Sequence, residues 1–449
     1  MFKRTLSLLL CLLVAVPSLA FCAFAQENEV SPAEISYEIT DPYADVDWDR
    51  WGIYKAQLHT QSDASDGDPT LDEMVEEYYK ADYDILAMTD HGVITNGWTS
   101  ERETNGIFNK FRKVYPMSEE NYERITKGLD RGGRGMTDIR GGIECNMAVI
   151  SKTHVNGYFT TYGQGEWGIE NDYRTAPVEI EKAGGYSVLN HVGDWVDSGR
   201  FPHRSHRNVY IAYFAGIFID CPSCLGMEIV NNTDRVTRGD RELWDELLQV
   251  VIPKGRNIWA FADDDSEKLN EVGRSFEFFV LPENNEANVK KAMKDGNFFA
   301  ASKYYKTTDG VGDFDGDGNV PLVTDIKVDQ KANTITVATD PTRDCRVIEW
   351  IADGKVIATG NTIDLNDYEK DLGCYIRFQM KGSGGVTYSQ PFELQYKGRI
   401  DKPVPSWALW VFKTEAGQKF MKFYHSHSFA LGALIAEKIR ILIEDNIKK

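Results

Sequence analysis

Residues 54–67, Tyr-Lys-Ala-Gln-Leu-His-Thr-Gln-Ser-Asp-Ala-Ser-Asp-Gly, predict a short strand that runs into ligand-type side chains. The predicted strand is Tyr54–His59, because its apolar part is short and bounded by polar residues, and His59 stands at its end. Residues 70–81 then predict an amphipathic helix, since its apolar side chains recur on one face: Leu71, Met74, Val75 and Tyr78. A strand followed by a helix is the unit from which α/β folds are built.

The same pattern recurs between residues 51 and 305. Helical segments such as Arg241–Val251 alternate with further predicted strands: Asp84–Thr89, Gly142–Cys145, Tyr186–Asn190, Gly226–Val230 and Ile258–Phe261. Alternation of this kind predicts a parallel sheet or a barrel.

Polar side chains that can bind metal stand where these predicted strands end: His59, Asp90, His91, Glu144, His191, Glu228, Asp263, Asp264 and Asp265. In parallel α/β folds, the carboxyl ends of the strands are where sites assemble. Histidines and carboxylates that converge there predict metal ions, because the carboxylates would otherwise repel one another. Any one of these residues alone is better explained as a loop cap or a satisfied core group, but six such coincidences favour a site.

Length and composition set the class of protein. A chain of 449 residues suggests two or three domains, and 42% hydrophobic with 27% charged residues excludes wholesale disorder. The 50 basic and 69 acidic residues give a net charge of −19, which argues against a nucleic-acid partner bound by phosphate neutralisation. An enzyme that handles phosphate remains compatible, because metal ions can supply positive charge locally.

Residues 1–25 are predicted to be a secretory signal peptide, cleaved after Ala25. Lys3 and Arg4 precede an apolar run over Leu6–Val16 that is too short to span a bilayer. The chain is therefore expected to be secreted or associated with the cell envelope, with no transmembrane span once the signal is removed. An uncleaved anchor is the alternative. Residues 26–50 form an acidic lead-in segment.

The number of cysteines agrees only in part with an exported protein, in which cysteines usually pair in disulfides. Five remain after signal removal, so at least one thiol is free or pairs outside the chain. Cys221 and Cys224 are better explained as a local disulfide or two ordinary thiols than as a metal knuckle, and Cys345 with Cys374 offers another bridge.

A change of composition divides the chain after residue 305. Residues 306–322 are an acidic Gly/Asp linker, residues 323–398 predict a small antiparallel β-sandwich, and residues 399–449 predict a helical tail. Phe429–Ile443 in the tail is amphipathic and interrupted by charges, which argues against a membrane span. The predicted strands of the sandwich are Asp325–Thr339, Arg346–Ala352, Val356–Ala358 and Cys374–Met380.

Asp313, Asp315 and Asp317 in the linker have the spacing that opens a calcium loop. Thr324 stands where an EF-hand has glutamate, so the loop is incomplete. A calcium clip and a flexible acidic linker both remain open.

Taken together, these motifs resemble the PHP (polymerase and histidinol phosphatase) domain family over roughly residues 52–302. Leu58–Gly67 resembles the family's LHxHTxxSDG motif, and five further segments are similar to its TDH, GxE, HxxGxF, late histidine and closing DDxH motifs: Thr89–Gly92, Gly142–Glu144, His154–Phe159, Leu189–His191 and Asp264–Glu267. The resemblance implies a distorted (β/α)7 barrel that binds two to three divalent ions of manganese, iron or zinc. The implied metal ligands are His59, Asp66, His91, Glu144, His154, His191 and Asp265.

Within that implied set, Glu144 is the bridging carboxylate, and Asp66, Glu144 and Asp265 are the catalytic carboxylates. The sequence departs from the family pattern at two positions. Gln61 and Glu267 stand where the family has histidines, and we align both with the metal site. Asp263-x-Asp265 is an alternative register for the closing motif. A neutral amide oxygen is a weak ligand, and a carboxylate shifts preference from zinc towards manganese, magnesium or iron. Two filled sites with partial filling of a third are therefore expected.

The implied function is an exported metal-dependent phosphoesterase that cleaves a phosphate ester with a metal-activated water at a di- or trinuclear site. Its partner would be a small phosphorylated substrate or a phosphodiester. A basic cluster, Arg200, Arg204 and Arg207, supports an anionic substrate, and Arg274 is a weaker candidate of the same kind. A solvated loop explains the cluster equally well.

Two other functions stay open. The same barrel can carry a metallohydrolase that cuts an amide or an ester. Alternatively, a catalytically impaired barrel with its sandwich forms a binding protein that contacts glycan or the cell envelope.

Overall fold

Short apolar runs form the strands, as the sequence predicts. The computed structural model of the chain describes residues 35–104, 113–146, 152–166 and 172–403, together with residues 414, 416, 417 and 419. The predicted signal peptide, the lead-in up to residue 34 and the predicted helix Phe429–Ile443 lie outside the described residues. In the part of the chain that is described, no helix combines the length and the apolar character needed to span a membrane.

The described residues form a mixed α/β structure. The strands are β1 (Glu38–Thr40), β2 (Gly52–Gln57), β3 (Ile85–Ala87), β4 (Thr137–Ile139), β5 (Ile143–Cys145), β6 (Val155–Tyr158), β7 (Tyr186–Leu189), β8 (Cys224–Asn231), β9 (Trp259–Asp263), β10 (Ser275–Leu281), β11 (Phe298–Ser302), β12 (Tyr304–Tyr305), β13 (Phe314–Asp315), β14 (Val323–Asp329), β15 (Thr334–Thr339), β16 (Val347–Ala352), β17 (Lys355–Thr359), β18 (Thr362–Asp364), β19 (Tyr375–Gly382), β20 (Gly385–Tyr388) and β21 (Phe392–Gln395). The α-helices are α1 (Leu71–Lys80), α2 (Glu119–Lys127), α3 (Thr175–Lys182), α4 (Val192–Val196), α5 (Asn208–Asp220), α6 (Asp240–Val251) and α7 (Glu286–Asp295).

Helix α1 illustrates how local sequence sets an element. Thr70 caps its first turn through a capping box with Glu73, and the predicted apolar face is buried. The helix packs this apolar face against the core. The loop between β2 and α1 is therefore fixed by the strand at one end and by the packed helix at the other.

Two sheets surround the predicted site. One runs in the order β5-β6-β7-β8-β9, and the other contains the path β20-β11-β10-β2-β3-β4. Among the described residues the two sheets are linked by isolated bridges at strand ends, Thr60 with Ser266 and His91 with Glu144, and no sheet closes on itself. A closed seven-stranded barrel therefore stays a prediction.

The strand pairing in these sheets is parallel only in part. β2, β3 and β4 are parallel to one another, and so are β7, β8 and β9, but β6 is antiparallel to both of its neighbours. β10 is also antiparallel to β2. Strand–helix alternation fixes strand direction only where a helix carries the chain back across the sheet, and no described helix separates β5 from β6. Helix α7 does separate β10 from β11, yet these two strands are antiparallel neighbours.

The C-terminal strands are antiparallel, as predicted, but one predicted strand is two. The predicted Asp325–Thr339 is divided into β14 and β15 by a turn in which Asp329 accepts backbone hydrogen bonds from residues 331 and 332 and Asn333 adopts a positive φ of 59°. β14, β15 and β18 form one sheet, while β16, β17 and β19–β21 continue the large sheet.

Backbone pairing crosses the predicted linker. β11 pairs with β20 through Ala300–Tyr388, Ala301–Thr387 and Ser302–Val386. The described residues from Ser36 onward belong to one compact unit. The division into domains at residues 306–322 stays a prediction, with the added finding that strands on its two sides share hydrogen bonds.

A buried ion pair also joins the segments before and after the predicted linker. Arg377 on β19 donates to both carboxylate oxygens of Asp245 on α6, at 2.7 and 2.6 Å, and the Tyr375 hydroxyl donates to the same carboxylate at 2.7 Å. Both charged side chains are almost fully buried. All five described cysteines carry free thiols, so neither expected bridge is formed.

Candidate metal centre

Backbone pairing at the strand ends brings residues from distant parts of the chain together. The amide of Asp265, after β9, donates to the carbonyl of His59, after β2, at 3.0 Å. The amide of Gly92 donates to the carbonyl of Glu144 at 2.8 Å, which sets His91 beside β5. The ends of β2, β3 and β9 thus meet beside β5. The polar residues at the strand ends of the sequence predict such a meeting point.

Glu144 lies at this point and is fully buried. Its Oε2 is 3.0 Å from His59 Nε2 and 3.2 Å from His91 Nδ1, while its Oε1 is 3.1 Å from His154 Nδ1. Burial alone would raise the pKa of Glu144, yet His91, His59 and His154 hold it well below its usual range. The carboxylate is therefore charged, and both of its oxygens face imidazoles.

Glu144 belongs to two sets of ligand atoms that could each hold an ion. The His91 group consists of His91, Glu144 and His154, and the His59 group consists of His59, Glu144 and Asp265. In each group the ligand atoms lie within 4.8 Å of one another. In the described residues these are the two groups of at least three such side chains, and they share one carboxylate.

Each group contains buried and partly exposed side chains. The side chains of His59 and Glu144 are completely buried, whereas His91 and His154 are 15% and 18% exposed and Asp265 is 24% exposed. Both groups can therefore be reached by a molecule from solution.

Glu228 orients His59. Its Oε1 accepts a hydrogen bond from His59 Nδ1 at 2.6 Å, so Nε2 points at Glu144 and Asp265 as a ligand atom. The other oxygen of Glu228 accepts from the amide of His191 at 2.7 Å and from Asn231 at 3.0 Å. Burial lowers the pKa of His59, but Asp265, Glu144 and Glu228 outweigh it and raise that pKa well above its ordinary value.

Asparagines support the two carboxylates of the centre. Asn190 Nδ2 donates to Glu144 Oε1 at 2.9 Å, and Asn231 Nδ2 donates to Asp265 Oδ2 at 3.1 Å. His191 and Asp265 both adopt positive φ, 27° and 48°, a region that residues other than glycine seldom occupy. Such strain is often found at functional sites, where the surrounding structure enforces it.

Asp90 and Asp264 have structural roles. Asp90 accepts from the amide and hydroxyl of Ser62 and from the buried guanidinium of Arg102 at 3.0 Å, which fixes the loop that carries Gln61. Asp264 accepts backbone hydrogen bonds from residues 273, 274 and 275. Neither carboxylate belongs to a ligand group.

The remaining predicted ligands lie around the centre but outside both groups. His191 Nε2 is 3.5 Å from Glu144 and 3.8 Å from Asp265, and Asp66 lies half-exposed at the rim, 3.5 Å from His91. Glu267 is also at the exposed rim, where desolvation of its carboxyl, with Asp66 and Asp265 nearby, raises its pKa to about 7. Gln61 is buried against the three ligand atoms of the His59 group.

The predicted substrate-binding arginines are placed differently from one another. Arg200 lies 3.9 Å from Asp197 and Arg204 donates to the carbonyl of Val196, so the described contacts of both stay within their own loop. Arg274 donates to Asn232 at 2.6 Å and lies 3.3 Å from Glu271. Since Asn232 follows Asn231, Arg274 is near the strand ends. The substrate role of these arginines, including Arg207, stays a prediction.

The acidic side chains of the predicted calcium loop do not converge in the described structure. Asp313 accepts from Thr307, Asp315 pairs with Lys306, and Asp317 accepts from the amide of Asn319. Each is used within the β12–β13 hairpin or the turn after it, and the calcium assignment stays a prediction.

The sequence assigns no role to the supporting residues Asn190, Asn231 and Arg102, and it places Glu228 only among the polar side chains at strand ends. Glu228 carried a usable signal, because a carboxylate in the middle of an apolar strand must be paired when it is buried. The partner of that carboxylate, 169 residues away in the chain, could not be identified without the fold.

We expect Glu228→Gln to weaken metal binding at the His59 group by about 10- to 100-fold. The amide keeps the size of the side chain but can present its NH2 to His59 Nδ1, which removes the acceptor that fixes the imidazole. Isothermal titration with Mn²⁺ would measure this loss. The His91 group should keep its affinity, and equal weakening at both groups would contradict the assigned role.

No family model and no curated protein matches the sequence. Among solved structures, the chain is similar to a two-domain protein from Bacteroides vulgatus ATCC 8482 that contains a predicted PHP-like metal-dependent phosphoesterase. The identity is 14%, the alignment covers 81% of this chain and 91% of the other, and the TM-score is 0.39. At this level of similarity the neighbour does not assign a family or an activity to the chain.

Proposed function

We propose that the chain is a metal-dependent phosphoesterase of the PHP type, with a centre of at least two divalent ions that share Glu144. One observation carries the proposal: a single buried carboxylate presents one oxygen to His59 and His91 and the other to His154. A carboxylate shared by two ligand groups can hold two ions close together, and two-metal hydrolysis uses a pair of ions about 3.5–4 Å apart.

The residues present fit divalent ions. Glu144 and Asp265 bring two carboxylates to one imidazole nitrogen of His59, at 3.0 and 3.1 Å, and a shared cation would offset their repulsion. The carboxamide oxygen of Gln61 beside them is buried with no hydrogen-bond partner. Imidazole nitrogens with carboxylate oxygens suit manganese, iron or zinc.

When bound, such ions acidify water and neutralise charge on the attacking and leaving oxygens of a displacement at phosphorus. The protein supplies the geometry. Glu144 fixes the spacing of the two groups, Glu228 fixes the His59 ring, and Asn231 orients Asp265. The substrate would approach over the partly exposed side chains of His91, His154 and Asp265.

The finer parts of the proposal are a phosphate-ester substrate, export through the predicted signal peptide and, with His191 as a further ligand, a third ion. Arg274 is the predicted arginine best placed to reach a phosphate, because it stands beside the strand end that carries Asn231. Its pairing with Glu271 would have to loosen for a substrate to bind.

A metallohydrolase that cuts an amide or ester is the second candidate. The acidic rim favours it, because Asp66 and Glu267 lie where an anionic substrate would enter and would repel it. Protonation of Glu267 or its engagement with an ion would remove part of that repulsion.

Metal analysis combined with a substrate panel tests these alternatives. We expect the purified chain to contain close to two equivalents of manganese, iron or zinc and to hydrolyse phosphomonoesters or phosphodiesters, including p-nitrophenyl phosphate. Metal without activity on any phosphate ester, but with activity on amides or carboxylic esters, would favour the second candidate. A chain without metal and without activity would contradict both.

A further inference from the structure

Gln61 holds an unusual position in the His59 group. Its side chain is buried, and its Nε2 lies 3.0 Å from His59 Nε2, 2.9 Å from Glu144 Oε2 and 3.1 Å from Asp265 Oδ1. Its Oε1 is buried and has no hydrogen-bond partner. One end of the carboxamide therefore has three acceptors around it, and the other end has none.

Hydrogen bonding alone does not explain this arrangement. An amide nitrogen carries two hydrogens, so it cannot donate to all three acceptors at once, and a buried carbonyl without a donor costs free energy. A charged His59 ring does not relieve the conflict, because Nδ1 donates to Glu228 and the hydrogen on Nε2 would then stand 3.0 Å from the amide nitrogen of Gln61, a donor against a donor. The site is thus poorly satisfied as an assembly of protein groups only.

The spacing of the four atoms matches a ligand shell. Ligand atoms at adjacent positions of an octahedral shell, with bonds of about 2.1 Å, lie roughly 3.0 Å from one another. The amide of Gln61 is 2.9–3.1 Å from each of the other three ligand atoms, and His59 Nε2 is 3.0 and 3.1 Å from the two carboxylates. Gln61 occupies the fourth corner, and turning the carboxamide by half a turn would present Oε1 there.

We propose that Gln61 is the residue that decides when the His59 group fills and with which metal. With Nε2 inward the amide ties the three ligands to itself, and with Oε1 inward it completes an oxygen-rich shell. This assignment rests on the proposed metal centre and adds to it the order of filling: the His91 group fills first and the His59 group second. The second ion is a hard cation such as Mn²⁺, Fe²⁺ or Mg²⁺ in preference to Zn²⁺.

The test compares Mn²⁺ and Zn²⁺ binding to the chelator-treated full chain by isothermal titration, with metal content checked independently. Gln61→Leu removes both the donor and the acceptor, and Gln61→His adds an imidazole. Gln395→His is the matched control, because it makes the same change at an exposed position on β21.

The wild-type chain should bind Mn²⁺ in two classes of unequal affinity. In Gln61→Leu the weaker class should lose at least about tenfold in affinity, and in Gln61→His its preference for Zn²⁺ over Mn²⁺ should rise at least about tenfold. Gln395→His should behave as wild type. If Gln61→Leu fails to fold, the wild-type isotherm and Gln61→His still decide the question.

Two results would overturn the assignment in distinguishable ways. Two ions bound with equal affinity, and unchanged in both Gln61 variants, would remove the role of Gln61 and leave the proposed function standing. A wild-type chain that binds no ion would overturn the proposed function and this assignment together.

Discussion

Glu144→Gln should abolish binding of both ions and lower kcat/KM for a phosphate ester by about 10³-fold or more, equivalent to roughly 4 kcal/mol of transition-state stabilisation. The carboxylate is the one ligand that the His91 and His59 groups share, so its loss affects both sites at once. The amide keeps the volume of the side chain, so no cavity is created. Metal content by mass spectrometry and steady-state kinetics measure the two effects.

Glu277→Gln is the matched control for this experiment. Glu277 is equally buried, and its pKa is raised well above the ordinary value by burial and by Asp263, so a neutral amide resembles its protonated form. It accepts from the amide of Ala262 and belongs to neither ligand group. Retention of two ions by Glu144→Gln, or equal losses in the two variants, would remove the central role assigned to Glu144.

Arg377→Met should destabilise the fold by about 3–5 kcal/mol, because it leaves the carboxylate of Asp245 buried without its partner. Two charge-assisted hydrogen bonds are lost, and the Tyr375 hydroxyl alone cannot compensate the charge. Urea unfolding followed by circular dichroism measures the change. Metal content below the transition should remain that of the wild type, because the pair lies outside both ligand groups.

Two further variants test whether the loss of stability comes from leaving a buried charge without its partner. Arg346→Met removes an exposed partner of Asp344 and should cost less than about 1 kcal/mol. The double variant Asp245→Leu with Arg377→Met should recover most of the lost stability, since no charge is then left buried alone. A single Arg377→Met variant as stable as Arg346→Met would show that the buried pair contributes little.

The sequence predicts the site residues best where a short apolar run is followed by a single polar residue. His59, His91 and Asp265 each follow a short strand, and Glu144 lies within another. The structure brings His59 and His91 to within 3.2 Å of Glu144, and Asp265 to within 3.1 Å of His59. Strand ends are local features that periodicity and composition reveal. Helix α1, with its cap at Thr70, is predictable for the same reason.

Other features depend on contacts that no local pattern encodes. The pairing of Glu228 with His59 and the approach of Asn190 to Glu144 join residues far apart in the chain. The anion site suggested by the composition of the basic loop stays a prediction, because the described contacts of Arg200 and Arg204 are to Asp197 and Val196 and show no ligand. The direction of β6 likewise follows from tertiary pairing and not from its four residues.

The pairing of β11 with β20 bears on how the chain can be made and shortened. Gln390 lies between β20 and β21 and pairs with the backbone of Ala260 on β9. Its side chain donates to the Ala260 carbonyl at 3.0 Å and accepts from the Ala260 amide at 2.8 Å. A ribosome must therefore synthesise nearly four hundred residues before the sheet that carries Asp265 can acquire its final neighbours. We expect truncation after residue 305 to yield an aggregation-prone fragment with an open strand edge, and chaperone dependence to be greatest late in synthesis.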